Sequence, residues 1–222
     1  MSLARIVSRM CVALGLAVGA ASALTAQATG SGVVPRVRSS PTLLYFVLHA
    51  HVDPTSPAFP LSAEGRLRAD AFARAVSAVS FTHVFSSHTT RARQMVEPVA
   101  QAQKLVVRQV PALGEMIDGA AVSDATRSQV ATAPLVETLR RLPAGSTALV
   151  GLNSDNIYAV LNGLGVPAAT PAQPCTAGST CVPCLSNACI TPSFDQLWIL
   201  VLAPEAKVPR LIELRYGAPF AK

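Results

Sequence analysis

The sequence lacks a hydrophobic run long enough to span a bilayer, a cluster of basic residues, an internal repeat and a glycine-rich nucleotide loop. Three of these absences each remove a class of function. The longest early apolar run, CVALGLAVGAASAL from Cys11, is shorter than the roughly 20 residues a spanning helix needs, so stable membrane insertion is not expected. The net charge is +6, yet the arginines are scattered along the chain, which argues against a nucleic-acid surface. Lysine is scarce, 3 residues against 15 arginines, and with abundant alanine this reflects a GC-rich bacterial genome more than a binding role. No phosphate-binding loop of the nucleotide type occurs. Ser154, Asp155 and Asn156 form an SDN triplet without Ser-x-x-Lys or Lys-Thr-Gly partners, which excludes a penicillin-binding enzyme.

What is present begins with an address. Arg5 and Arg9 precede the apolar run, and small residues at Ala26 to Ala28 follow it, the layout of a secretory signal over residues 1–28. An uncleaved anchor is the alternative, and Cys11 stands too early in the run for lipid attachment. Cleavage leaves 194 residues with an excess charge of +4, enough for one domain with a real core. A polar, proline-punctuated leader occupies residues 29–41, and the folded domain is expected over 42–222 in the periplasm or outside a bacterial cell. Four of the five cysteines, Cys175, Cys181, Cys184 and Cys189, fall in the domain within one segment.

Along that domain the patterns alternate. TLLYFVL from Thr42 is continuously apolar, as in a strand covered on both faces. LSAEGRLRADAFARAVSAV predicts a helix capped by Ser62, with Leu67, Ala71, Ala75 and Val79 on its apolar side. THVFSS predicts a strand, and TTRARQMVEPVAQAQ a helix broken or ended near Pro98. KLVVRQV is a third strand, 111–132 is irregular, and APLVETLRRLP is a helix. STALVGL, a helix from SDNIYAVLNGLG, and the strands LWILVLA and RLIELRYG complete the chain. Strands alternating with helices predict an α/β fold, a three-layer α/β/α sandwich around a mostly parallel sheet. Ligands bind such sheets at the carboxyl ends of strands, which is where His49, Ser86 with Ser87, and Gly151 to Ser154 stand.

These segments in this order resemble the histidine phosphatase superfamily, the phosphoglycerate mutase-like fold, over about Leu43 to Gly217. The resemblance rests on FVLHAHVD, FSSHTTRARQMVEPVA, PALGEMIDG and the closing strand pair. It implies phosphomonoester hydrolysis through a phosphohistidine at His49, with Arg91 as a phosphate-binding arginine and Glu115 as the acidic residue. It implies no cofactor and no metal, and a small phosphorylated molecule or other anion as partner; a protein partner is not identified.

Two positions depart from that family's pattern. Leu48 stands where the family has its first arginine, and no histidine follows Gly151: an ungapped count puts Leu152 at the second histidine position, while anchoring on SDNI puts Asn153 there. Phosphoryl transfer depends on positioning and on compensating charge, and leucine supplies neither charge nor arginine's bidentate fork. Losing one aimed donor costs about 10²- to 10³-fold in rate. Impaired turnover is therefore expected, and a non-catalytic anion- or protein-binding module on the same fold is the alternative. His51 and His88 are further phosphate-binding candidates, each able to carry a proton near neutral pH; as solvated histidines they would be like His83. The plain alternatives are a structural strand-end role for His49 and a surface role, like that of Arg93, for Arg91.

The cysteine segment lies in a loop over 166–193 with little regular pattern. Disulfides among Cys175, Cys181, Cys184 and Cys189 are the simplest account in an exported chain, since a short closed loop gains about 3 kcal/mol from such a link. A four-cysteine metal site and a redox-active CVPC pair are the alternatives. The pairing is not legible.

Overall fold

A computed structural model describes residues 40–110, 125–154, 156–169, 182 and 194–217. The proposed signal, nearly all of the leader, Glu115 and the four domain cysteines lie outside the described residues.

The strands are β1 (Thr42–Leu48), β2 (His83–Ser86), β3 (Val107–Gln109), β4 (Thr147–Leu152), β5 (Gln196–Leu202) and β6 (Arg210–Arg215), and the helices are α1 (Ala63–Ala75), α2 (Thr90–Ala102), α3 (Ala125–Arg140) and α4 (Ile157–Gly163). The strands form one sheet in the order β3-β2-β4-β1-β5-β6. β3, β2, β4 and β1 pair in parallel, whereas β5 runs antiparallel to both β1 and β6. The result is the expected α/β fold with a mixed, mainly parallel sheet.

The continuous apolar run of β1 places it at the centre, because both of its faces meet a core. Leu44, Phe46 and Leu48 face a cluster built with Leu135 and Leu139 of α3 and Ile157, Val160 and Leu161 of α4. Val47 faces the other cluster, with Ala69 and Phe72 of α1 and Met95, Val96 and Val99 of α2. Each fully buried side chain of this size contributes about 2 kcal/mol of transfer free energy, so the strand is fixed from above and below. Among the described residues no helix is long and apolar enough to cross a membrane.

Several local expectations are overturned by packing. The buried side of α1 is Gly65, Arg68, Ala69 and Phe72, while Leu67 is exposed. Alanine-rich helices offer several apolar stripes of similar strength, and the close fit of Gly65 against His51 selects this one: a Cβ there would come within 2.1 Å of the His51 carbonyl oxygen. Ser62 does cap α1, accepting from the Gly65 amide at 3.1 Å. Pro98 does not end α2, which runs on to Ala102. The lost hydrogen bond is outweighed by burial of Met95, Val96, Val99 and Ala100 on one side. α3 likewise starts at Ala125 and carries Pro134 inside, so 125–132 is helical. β3 is limited to three residues at the sheet edge.

Candidate active site

The parallel strands β1, β2 and β4 end on the same side of the sheet. Leu48 pairs in register with Leu152, and Ser86 with Gly151, so the residues that follow them emerge side by side. The His49 amide donates to the Leu152 carbonyl at 3.0 Å, and the Ser87 amide to the Gly151 carbonyl at 2.9 Å. His49, Ser87 and Asn153 therefore line one edge.

His49 Nδ1 lies 2.8 Å from the carbonyl oxygen of Ala50. A carbonyl can only accept, so Nδ1 carries the hydrogen and Nε2 keeps its lone pair. Burial lowers the ring's pKa from the usual histidine value to about 4; the Ala50 hydrogen bond opposes that shift and the nearby Arg91 charge adds to it. The imidazole is thus neutral at physiological pH. Its Nε2 is left with a lone pair, and the backbone chooses which nitrogen that is.

Arg91 sits in the first turn of α2, whose N-cap is Thr89. The helix reaches this position because β4 has no side chain at Gly151: a Cβ there would lie 2.7 Å from the Ala92 carbonyl oxygen and 2.8 Å from Val96 Cγ1. Glycine here allows the close approach that brings the first turn of α2, with Arg91, beside the strand ends.

The structure separates Leu152 from Asn153. Leu152 is fully buried in the same core as Leu48, whereas Asn153, 1% exposed, lies in a polar network. Thr89 Oγ1 donates to Asn153 Oδ1 at 2.9 Å, Asn153 Nδ2 donates to Ser87 Oγ at 3.4 Å, and the Asn153 amide donates to Asn156 Oδ1 at 3.1 Å. Ser87 and Thr89 hydroxyls are themselves 3.2 Å apart. The Asn153 side chain ties β4 to the loop before α2.

His51 and His88 differ. The His51 ring packs edge-on against Phe194 with centroids 4.4 Å apart, and His49 meets the same Phe194 ring at 6.0 Å. His51 Nδ1 faces Glu64 Oε1 of α1 at 3.6 Å. His88 is exposed, its backbone carbonyl accepting from Gln109. The strand ends therefore gather His49, Arg91, Asn153 and His51, with Phe194 as a shared wall, while His88 is turned to solvent.

Phe194 carries no signal in the sequence. It precedes β5 and is held from the residue after β6, since the Tyr216 hydroxyl donates to the Phe194 carbonyl at 2.7 Å. The contribution of Glu64 is equally hidden, because it depends on how α1 packs on the loop after β1. Thr89, the N-cap of α2, makes its bond to Asn153 across 64 residues. Among the described residues no group of three His, Cys, Asp or Glu side chains is placed to hold a metal ion.

Residues 50–145 match the model of the histidine phosphatase superfamily (branch 1). Over that segment, which is less than half of the chain, the sequence is similar to that superfamily. The matched segment contains His51, His88, Arg91 and Glu115 and begins immediately after His49; Leu48, Leu152 and Asn153 fall outside it. No curated protein matches the chain. Among solved structures, one called mycobacterial hydrolase 1 is similar at a TM-score of 0.54 and 16% identity, over 81% of this chain and 100% of that one. A mycobacterial glucosyl-3-phosphoglycerate phosphatase gives 0.54 and 16% over 80% and 100%, and mycobacterial hydrolase 2 gives 0.50 and 15% over 82% and 93%. These likenesses establish a shared fold.

Proposed function

We propose that the protein is a slow phosphomonoesterase in which His49 Nε2 takes the phosphoryl group and water then removes it. The observation that carries this reading is the Nδ1–H bond from His49 to the Ala50 carbonyl at 2.8 Å, which leaves Nε2 as the free lone pair. Arg91 is the cation nearest in role, attracting the phosphoryl oxygens, and the first turn of α2 adds the partial positive charge of a helix start. Leu48 explains the slowness: its side chain is 2% exposed in the apolar core and offers nothing to a phosphate. The substrate class is a small phosphomonoester, and the signal-like segment 1–28 supports action outside the cytoplasm. Four cysteines joined as disulfides fit the same compartment, and masses with and without reductant differing by about four hydrogens would test that pairing.

One observation favours the second reading, a non-catalytic anion- or protein-binding module. The Asn153 side chain already bonds Thr89 and Ser87 and so has little left for a phosphate. Hydrolysis of p-nitrophenyl phosphate by the full chain beside His49→Ala separates the two. Turnover lost in the variant, with acid-labile phosphate trapped on the parent, supports the phosphatase; identical background rates support the binding module.

A further inference from the structure

We infer that the His49 site selects phosphomonoesters whose leaving group carries an uncharged aromatic ring, with Phe194 as the specificity-determining residue; this deepens the phosphohistidine reading above and rests on it. Three placements carry it. The Phe194 ring stands beside both histidines, its centroid 6.0 Å from that of His49 and 4.4 Å from that of His51, and all three residues are only partly buried. Phe194 and His51 meet edge to face at 63°, so together they make an aromatic corner next to His49. The backbone of that corner is fixed: the buried Tyr216 donates its hydroxyl to the Phe194 carbonyl at 2.7 Å and its amide to the Asp195 carbonyl at 2.8 Å. Glu64, a half-exposed carboxylate, places Oε1 3.6 Å from His51 Nδ1 and so puts a negative charge at the same corner.

The selection follows from those placements. An ester whose phosphorus meets His49 has its organic group only a bond or two further on, within reach of a ring 6.0 Å from the imidazole. A flat ring uses an aromatic corner better than a chain does, because it stacks on one wall while turning its edge to the other. Such a contact is worth about three- to tenfold in affinity beyond the burial of its area. Glu64 supplies the opposite pressure: a carboxylate on the leaving group would meet a like charge there, whereas an uncharged ring would not.

Three esters test this: 2-phenylethyl, propyl and 3-carboxypropyl phosphate. All three release an alkoxide, so differences between them report recognition and not leaving-group acidity. The full chain, Phe194→Ala, Phe194→Tyr, Glu64→Gln and His49→Ala are assayed on each, with thermal melting to show that every variant is folded. In the parent and in Phe194→Tyr, kcat/KM for the phenylethyl ester should exceed that for the propyl ester by about tenfold, and in Phe194→Ala by about twofold or less. Phe194→Leu, which keeps an apolar side chain without a ring, replaces Phe194→Ala should that variant not fold. The carboxypropyl ester should be the slowest in the parent and should gain about threefold on the propyl ester in Glu64→Gln. Equal rates on the phenylethyl and propyl esters in the parent overturn the inference. So does a fall in Phe194→Ala that is the same on both, which assigns Phe194 a structural role, and the absence of a gain in Glu64→Gln overturns the discrimination against charge. If the parent does not exceed His49→Ala on any ester, the phosphohistidine reading itself has failed and the inference with it, a pattern unlike any of those.

Discussion

The ends of β1 and β4 lie side by side in register and are built to opposite purposes. At each, a leucine closes the strand in the same apolar core, Leu48 on β1 and Leu152 on β4. The next residue decides the character. His49 spends one ring nitrogen on its neighbour's carbonyl and keeps the other, whereas Asn153 spends both ends of its amide on Thr89 and Ser87. His49 thus keeps one ring nitrogen unspent, whereas Asn153, with both ends of its amide bonded, ties β4 to the loop before α2. On the proposed reading, the contrast accounts for a nucleophile kept at one strand end while the other strand end is structural.

The comparison breaks most severely at Leu48. Leu48→Arg, offered as a repair of the phosphate clamp, should instead put a charge into a site only 2% exposed and lower stability by about 4 kcal/mol or more. Thermal melting of the variant measures this, and a stable variant with faster turnover would mean that the Leu48 position opens onto the site.

Next in size is Asn153→Ala, which strands the Thr89 and Ser87 hydroxyls in a buried network and should cost about 2 kcal/mol. Urea titration reads the loss. If stability is unchanged and only turnover falls, Asn153 belongs with His49 as a substrate contact and the contrast between the two ends disappears.

Gly151→Ala sharpens the same comparison from the backbone. Its new methyl would meet the Ala92 carbonyl and Val96, so α2 must retreat at a cost of about 1–3 kcal/mol. Because Arg91 rides on that helix, turnover should fall together with the melting temperature; a fall in melting alone would separate helix docking from the function of Arg91.

The smallest effect is a pH dependence. His49 has a folded pKa of about 4, below the usual histidine value of 6.5. Between those values the unfolded chain binds more protons than the folded one, so the contribution of His49 to stability is complete above about pH 6.5 and is lost as the pH falls toward 4. Allowing for solvent screening of a ring that is not fully enclosed, this amounts to about 1–2 kcal/mol. The parent should lose more stability than His49→Gln between pH 7 and pH 4.5 in parallel denaturant titrations. Equal losses would show that burial does not hold the ring neutral.

Much of this was readable in the chain because it is written locally. A seven-residue apolar run has only one comfortable place in an α/β sheet, between two covered faces, and β1 occupies it. Ser62 ahead of an alanine-rich stretch is a helix start whatever lies around it. The helix ends were less legible, since Pro98 and Pro134 oppose helix locally and are overruled by side chains packed on the sheet. The stripe of α1 was misread at Leu67 for a related reason: in a helix of many alanines the burial side is chosen by the partner surface.

The sequence alone determined the alternation of strands and helices, the position of His49 at the exit of a buried strand, and an order of segments that resembles the superfamily's. Those properties rest on short-range patterning and covalent order. Only the tertiary structure decided that Leu152 is core and Asn153 polar frame, that His51 meets Glu64, and that Phe194 walls both histidines. Each of those is a contact between segments distant in the chain, set by strand register and by how closely glycine lets two backbones approach, and neither quantity is carried by any one stretch of residues.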